Sequence, residues 1–267
     1  MSYLYFKILE NGDLKLIVTK ELNNMVVPNY SKIPEESQII GIDVNLRDNR
    51  MITSNNFIIP VPEDLIKHED RLSKRIALHD KNCDRYRISK DRGKQLRLDE
   101  DKQKRRRKAK LDKDISDILK YERLFGTKMI VLEDINANSI KGYKSESSVY
   151  ENIKNKVIQR ALLIDDTKNV FIRMAYKYGL SVALVNPKYT SQECSHCHTI
   201  LKENRNAGFY SCSCGYSGNA DLNAAINIKD RMSNNLKREK LQYKGKRNGI
   251  LLWLGKDFKN KKSFEIN

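Results

Sequence analysis

The chain has 267 residues, of which 39% are hydrophobic, and its mean hydropathy is -0.66. This length allows one hydrophobic core, or one core with a small satellite domain. No apolar run approaches the roughly 20 residues that a membrane span needs, and residues 1–7 lack the layout of a secretory signal. The composition therefore predicts an intracellular, cytoplasmic protein without a membrane partner.

The formal net charge of +17 favours a polyanionic partner. A field of this sign attracts nucleic acid, which is the commonest polyanion inside a cell. A lysine-rich composition that serves only solubility would give the same charge, so the charge alone leaves both interpretations open.

The first sixty residues predict three consecutive core strands after an N-terminal hairpin. Alternating apolar and polar residues around Asn11-Gly12 indicate a β-hairpin over residues 3–19. Residues 38–44 (QIIGIDV) indicate a buried strand, and residues 51–53 and 57–61 indicate a second hairpin.

A long, intensely charged stretch follows, and its pattern predicts helices over residues 62–125. Between Arg85 and Lys110 there are 13 Lys or Arg residues against 4 Asp or Glu residues. The density peaks at Lys104, Arg105, Arg106, Arg107 and Lys108. A solvated helix is the plain interpretation, but this density favours contact with phosphates.

The rest of the chain alternates strands and helices around a cysteine-rich insertion. The pattern predicts a strand at 128–133, a loop at 136–151, a helix at 153–178 and a strand at 180–185. Residues 222–228 form the beginning of a predicted final helix. Together with the opening strands, this order indicates an α/β fold with a mixed sheet.

Four of the five cysteines crowd into residues 194–214, which indicates a metal site rather than a disulfide framework. Cys194-x2-Cys197 and Cys212-x-Cys214 are separated by 14 residues, and two such pairs can deliver four thiolates to one tetrahedral zinc ion. Four protein ligands close the coordination sphere, so this zinc would be structural. His196 and His198 lie close enough for one of them to replace a cysteine.

Three acidic residues, each with an ordinary structural explanation when taken alone, form a sharper pattern together. Asp43 lies among apolar residues in a strand, and Glu133 ends the apolar run MIVLE; burying either charge is costly unless it is paired or bound to a metal. Asp221 opens the helix DLNAAINI, where it could also serve as an N-cap. Together they predict a catalytic Mg²⁺ or Mn²⁺ site, since two such ions about 4 Å apart stabilise both the attacking and the leaving oxygen of a phosphodiester.

Four segments resemble the TnpB family of transposon-encoded, OrfB-type nucleases, which are related to the compact type V CRISPR effectors. They are GIDVNLRDNRMITS at 41–54, IVLEDIN at 130–136, NPKYTSQECSHC at 186–197 and CSCGYSGNADLNAAINI at 212–228. The first, second and last resemble the three RuvC motifs of that family, and the two cysteine segments resemble its zinc knuckle. The likeness extends from about Ile39 to Arg231.

The resemblance implies an RNase H-like fold, a structural zinc and RNA-guided cutting of DNA at a RuvC-type centre. It would make Asp43, Glu133 and Asp221 the catalytic carboxylates, and Cys194, Cys197, Cys212 and Cys214 the zinc ligands. DNA and a guide RNA would be the partners. The chain departs from the family at Asn45, where a glycine is frequent, and in the C-x-C pair, which is one residue shorter than the common form.

The expected division of the chain follows from these motifs. Residues 1–37 would be the remnant of an N-terminal β wedge, 38–187 and 216–235 the RuvC-like nuclease domain, 188–215 the zinc-binding insertion, and 236–267 a basic tail. Because only about 38 residues precede the first motif, a second chain could supply a missing N-terminal half. Two alternatives to a nuclease stay open: a non-cleaving nucleic-acid-binding remnant, and a zinc-ribbon interaction domain, which would leave Asp43 and Glu133 unexplained.

Overall fold

The computed structural model describes residues 2–8, 14–20, 34–45, 49–89, 91, 93–134, 157–237, 241–247 and 250–255. Its strands are β1 (Ser2–Ile8), β2 (Leu14–Lys20), β3 (Ile39–Val44), β4 (Asn49–Thr53), β5 (Ile58–Pro60), β6 (Met129–Glu133), β7 (Ser181–Val185), β8 (Arg205–Asn206), β9 (Phe209–Ser211), β10 (Ser217–Asn219), β11 (Leu241–Arg247) and β12 (Ile250–Gly255). Its helices are α1 (Glu63–Tyr86), α2 (Lys94–Leu124), α3 (Ile164–Lys177) and α4 (Ala220–Lys237). Within this part of the chain, none of the helices is long and apolar enough to cross a membrane.

The centre of the fold is a seven-stranded sheet in the order β11-β12-β7-β6-β3-β4-β5. Strands β3, β6, β7 and β12 run parallel, whereas β4, β5 and β11 pair antiparallel with their neighbours. The mixed α/β fold predicted from the sequence is confirmed. Strands β8, β9 and β10 form a separate small sheet beside the cysteines.

Helices cover both faces of the sheet, and the alternation of side chains along each strand decides which face a residue joins. Even-numbered residues of β3 and β6, such as Ile42 and Leu132, pack in one core with Ile115 of α2 and Phe171 of α3. Odd-numbered residues such as Ile39, Met129 and Val131 pack in a second core with Ile228 and Met232 of α4. Asp43 and Glu133 have the odd parity and therefore lie on the α4 face.

Helix α4 approaches β3 unusually closely at Gly41. A Cβ atom built on this residue would lie 2.1 Å from the carbonyl oxygen of Ala225 and 2.6 Å from the amide nitrogen of Lys229. Because both contacts are with the backbone of α4, only glycine allows this packing. The close approach brings the first turn of α4 to the end of β3.

Most of the predicted elements are confirmed, with the differences at two places. The hairpin over residues 3–19 is formed by β1 and β2, while the loop predicted at 136–151 lies outside the described residues. The helix predicted over 153–178 is interrupted at Leu163, which has a φ of 51°. The reason is that buried Arg50 donates from Nη2 to the Leu162 carbonyl oxygen at 2.6 Å, so this carbonyl does not continue the helix.

The second difference is at the C-terminal end, which the sequence indicated only as a basic tail over 236–267. Strand β12 pairs parallel with β7, and β11 pairs with β12 at the edge of the sheet. The pairing with β7 is a long-range contact between segments about 70 residues apart, which local patterns do not encode.

Candidate active centre

The register between β3 and β6 sets the first pair of candidate carboxylates side by side. Ile39 lies opposite Met129, and Gly41 lies opposite Val131, so the same register places Asp43 opposite Glu133. Both residues stand at the carboxyl ends of parallel strands, which is the edge where sites in α/β folds are usually built. The Asp43 side chain is only 6% exposed.

Helix α4 brings the third carboxylate to the same edge. Asn219 caps the helix, since its Oδ1 accepts hydrogen bonds from the backbone amides of Asp221 and Leu222 at 2.9 and 3.0 Å. Asp221 is therefore not needed as the cap that the sequence left as an alternative. Its carboxylate instead accepts from Arg205 Nη2 at 3.0 Å and Asn49 Nδ2 at 3.4 Å.

The electrostatics of the three acids are those of a crowded, buried anionic site. Burial first, and then the charges of Glu133 and Asp221, raise the pKa of Asp43 to about 8, although the hydrogen bond from Asn45 and the charge of Arg205 act in the opposite direction. Burial also raises the pKa of Glu133. A cation among these carboxylates would relieve the repulsion that resists ionisation of Asp43.

The donor set fits Mg²⁺ or Mn²⁺, because such ions take carboxylate oxygens and keep several waters. Asp43, Glu133 and Asp221 are the residues that could hold the ion. Asp134, the next residue after Glu133, is engaged elsewhere, since its Oδ1 accepts from Lys168 Nζ at 2.8 Å. The three carboxylates are therefore a candidate site for a hard divalent cation at the sheet edge.

The four clustered cysteines converge in the small module that follows β7. Their sulfur atoms all lie within 4.8 Å of one another, with Cys194 Sγ 3.7 Å from Cys214 Sγ and Cys197 Sγ 3.6 Å from Cys212 Sγ. Four sulfurs at about 2.3 Å from one tetrahedral ion lie about 3.8 Å apart. The cluster thus has the dimensions of a four-cysteine zinc site, and no second set of metal-binding groups this compact occurs in the described part of the chain.

The pKa values of Cys197 and Cys214 are shifted in opposite directions. Hydrogen bonds with the side chain and backbone of Thr199 lower the pKa of Cys197 to about 6. The Tyr216 backbone lowers the pKa of Cys214, but burial and hydrogen bonds with the three other thiols outweigh it and raise that pKa to about 12. His196 Nδ1 lies 3.8 Å from Cys214 Sγ, beside the four-sulfur set.

Comparison with known proteins shows which proteins this chain is similar to. Residues 167–228 match the Cas12f1-like TNB domain, from α3 through the cysteine module into α4. The CRISPR-associated endodeoxyribonuclease Cas12f1 of Sulfoacidibacillus thermotolerans is 43% identical over 65 residues, covering 24% of this chain and 15% of the relative. TnpB-like protein L79 of Acanthamoeba polyphaga mimivirus is 28% identical over 207 residues, covering 76% of this chain and 39% of the relative. The resemblance to TnpB proteins is confirmed.

The chain spans less than half the length of these two relatives. The cryo-EM structure of a Cas12f1-sgRNA-target DNA complex superimposes with a TM-score of 0.50 at 19% identity, over 86% of this chain and 56% of that chain. At this identity the likeness shows the fold alone.

Several residues beside the candidate centre carry no individual signal in the sequence, although they lie within the quoted segments. The hydroxyl of Thr190 donates to Glu133 Oε1, and buried Asn227 of α4 donates to the carbonyl oxygens of Thr190 and Glu193 at 2.9 and 2.7 Å. Asn223 of α4 also donates to the Glu193 carbonyl oxygen, at 2.7 Å. Helix α4 therefore positions both Asp221 and the segment that leads into the cysteine module.

The five basic residues predicted to contact nucleic acid differ in their exposure. Lys104, Arg105, Arg106 and Lys108 are exposed on α2. Arg107 is only 14% exposed, and its Nη1 lies 2.7 Å from an oxygen of buried Glu69 on α1. Arg107 thus joins the two helices, while the nucleic-acid role of the other four stays a prediction.

Proposed function

We propose that this chain is the nuclease part of an RNA-guided DNA endonuclease of the TnpB type. In this proposal the chain hydrolyses phosphodiester bonds at Asp43, Glu133 and Asp221 with Mg²⁺ or Mn²⁺. The observation that carries it is that buried Asp43 and Asp221 and half-buried Glu133 lie at one edge of the sheet, where the charges of Glu133 and Asp221 raise the pKa of Asp43. The guide RNA and the DNA target rest on the names of the relatives, and a second chain stays a prediction.

In this proposal, the side chains at the centre have different roles. Asp43, Glu133 and Asp221 hold the ion, with Thr190 and Asn45 fixing the carboxylates of Glu133 and Asp43 by hydrogen bonds. These carboxylates would hold divalent ions that, when bound as a pair, would stabilise the attacking and leaving oxygens. Arg205 adds a guanidinium to the same centre, where it can contact a phosphate oxygen.

Cleavage of DNA tests the proposal directly. The wild-type protein, purified with RNA co-expressed from its own locus, is expected to cut labelled single-stranded DNA when Mg²⁺ or Mn²⁺ is present. The Asp43→Ala variant should give only background, because it removes the central ligand. Equal cleavage by the two proteins would refute the nuclease and favour a non-cleaving nucleic-acid-binding protein.

We also propose a structural zinc ion at Cys194, Cys197, Cys212 and Cys214, within an insertion over residues 188–215. This insertion would interrupt a nuclease domain over 38–187 and 216–235, with residues 1–37 as a wedge remnant and 236–267 as a tail. The sulfur–sulfur distances support the ion, and the ligand set supports zinc over magnesium because thiolates are soft donors.

Metal analysis of the purified protein is expected to find about one zinc per chain. Cys212→Ser should lose this zinc and destabilise the module, because three thiolates leave the coordination sphere open. Cys83→Ser is the matched control, since Cys83 is a buried thiol on α1 outside the cluster. Full zinc in Cys212→Ser, or its loss in Cys83→Ser, would contradict the assignment.

A further inference from the structure

Helices α1 and α2 enclose a groove between them that is lined by cationic side chains. Its cavity volume is about 370 Å³. Leu72 of α1 and Gln103 of α2 form its buried floor, and Gln103 Nε2 donates to the Leu65 carbonyl oxygen at 3.3 Å. The floor of the groove is therefore formed by packed, hydrogen-bonded residues of both helices.

The rim of the groove is strongly positive. Arg71 and Arg75 of α1 face Lys102 and Arg106 of α2 across it, and Asp99 is the single carboxylate in the lining. Asp99 is already paired, since its Oδ2 lies 2.6 Å from Arg75 Nη1, and this hydrogen bond lowers the pKa of Asp99. Four cations against one carboxylate leave a net charge of +3 around the cavity.

The spacing of these residues is that of two facing helical stripes. Arg71 and Arg75 are four residues apart on α1, and Lys102 and Arg106 are four residues apart on α2, so each pair lies on one face about 6 Å apart along the axis. All four residues are exposed. Such an arrangement suits a ligand with successive negative charges, which is the chemistry of a phosphodiester backbone.

The direction of α2 places the groove at the same end of the molecule as the candidate active centre. Asp114 of α2 lies 2.5 Å from Arg50 of β4, and the Arg50 carbonyl oxygen accepts from Asn45, directly after β3. Toward its C-terminal end, α2 contacts the opposite end of the sheet, where Glu122 accepts from Asn55 Nδ2 at 2.8 Å. Residues before Asp114 thus project past the edge that carries Asp43.

We propose that the groove between α1 and α2, rimmed by Arg71, Arg75, Lys102 and Arg106, binds the phosphodiester backbone of the DNA strand that is cut at the carboxylate centre. This inference rests on the proposed nuclease function and adds a site to it. Along the helix axis Arg106 lies about 12 Å from Asp114, and Lys102 about 18 Å. The groove would hold the strand a few nucleotides away from the scissile bond.

The test compares two triple variants of the full chain that remove the same charge. The groove variant carries Arg71→Gln, Lys102→Gln and Arg106→Gln. The control carries Lys113→Gln, Lys120→Gln and Arg123→Gln, which are exposed on α2 nearer the opposite end of the sheet. Binding of fluorescein-labelled single-stranded DNA is measured from about 50 to about 300 mM salt, without added Mg²⁺ or Mn²⁺ and without chelator, so that zinc is retained.

The groove variant is expected to bind DNA about tenfold more weakly or worse, with a salt dependence less steep by about two because about 0.7 is lost per phosphate contact. The control variant should stay within about twofold of wild type, and circular dichroism should show both folded. Equal weakening of the two variants would overturn the groove. So would wild-type binding of polyglutamate as tight as that of DNA, or binding of RNA but not DNA through these residues.

The cleavage assay separates this inference from the proposed function. If wild type cleaves and the groove variant cleaves and binds equally well, the groove assignment alone is wrong. If the groove variant loses binding but wild type cleaves no more than Asp43→Ala, the nuclease proposal is wrong, and a DNA-binding groove remains without the link to cutting.

Discussion

Asp43→Asn is expected to abolish cleavage and, at alkaline pH, to make the metal-free protein more stable. The loss of cleavage should be about a thousandfold or more, because an amide oxygen is a weaker ligand for Mg²⁺ than a carboxylate. The gain in stability follows from the raised pKa of Asp43, about 8 in the folded chain against 3.8 as the ordinary value. The folded protein therefore holds a proton that the unfolded chain releases.

The sign of the pH dependence is fixed by this difference. Between about pH 4 and about pH 8 the native state binds more protons at Asp43 than the unfolded state, so this carboxyl makes the free energy of unfolding fall as pH rises. Asparagine cannot ionise, so the variant escapes this loss. We expect the stability advantage of Asp43→Asn to be smallest near pH 4 and to grow by about 2 kcal/mol or more by about pH 8.5.

Urea denaturation at about pH 5 and about pH 8.5, with and without Mg²⁺, measures the effect. Added Mg²⁺ should stabilise wild type at the higher pH by binding only the native state, and it should have little effect on Asp43→Asn. Asp134→Asn is the matched control: this neighbouring buried acid is paired with Lys168, so its replacement should destabilise the protein. If Asp43→Asn is less stable than wild type at the higher pH, the result would contradict the raised pKa of Asp43 and the repulsion among the three carboxylates.

The placement of Asp43 and Glu133 could be predicted from the sequence because it depends on local pattern. Each ends or interrupts a short apolar strand, and alternation along a strand then fixes the face of the side chain. That Asp221 joins them depends on how closely α4 packs on β3, which no local pattern reports. Asp221 was a candidate because it opens the helix DLNAAINI, and the likeness to TnpB motifs points to the same residue.

The contacts of Arg205 and Arg107 could not be predicted, for a different reason. Arg205 lies in the small cysteine module and contacts Asp221, 16 residues later, only because the module folds back on α4. Arg107 looks like its four basic neighbours in the sequence, but its position on the helix turns it toward Glu69 of α1. A charge run shows how many cations are present, whereas the partner helix decides which of them are free for a ligand.

Gly41→Ala is expected to lower the free energy of unfolding by about 3 kcal/mol. The added methyl group would lie 2.1 Å from the Ala225 carbonyl oxygen, and since this is backbone, the whole of α4 must shift. Helix α4 carries Asp221 and holds the cysteine module through Asn223 and Asn227. The variant should therefore lose the stabilisation by Mg²⁺ together with its cleavage activity.

Gly93→Ala is the matched control for this substitution. Gly93 precedes α2, and a Cβ atom there meets nothing within 4 Å, so the change should cost a few tenths of a kcal/mol at a helix cap. A second readout is the pH dependence of stability. Because the charge of Asp221 helps to raise the pKa of Asp43, moving α4 away should flatten the dependence in Gly41→Ala, whereas Gly93→Ala should keep the wild-type slope. If Gly41→Ala keeps the full slope and the full response to Mg²⁺, the close packing of α4 on β3 is not what assembles the three carboxylates.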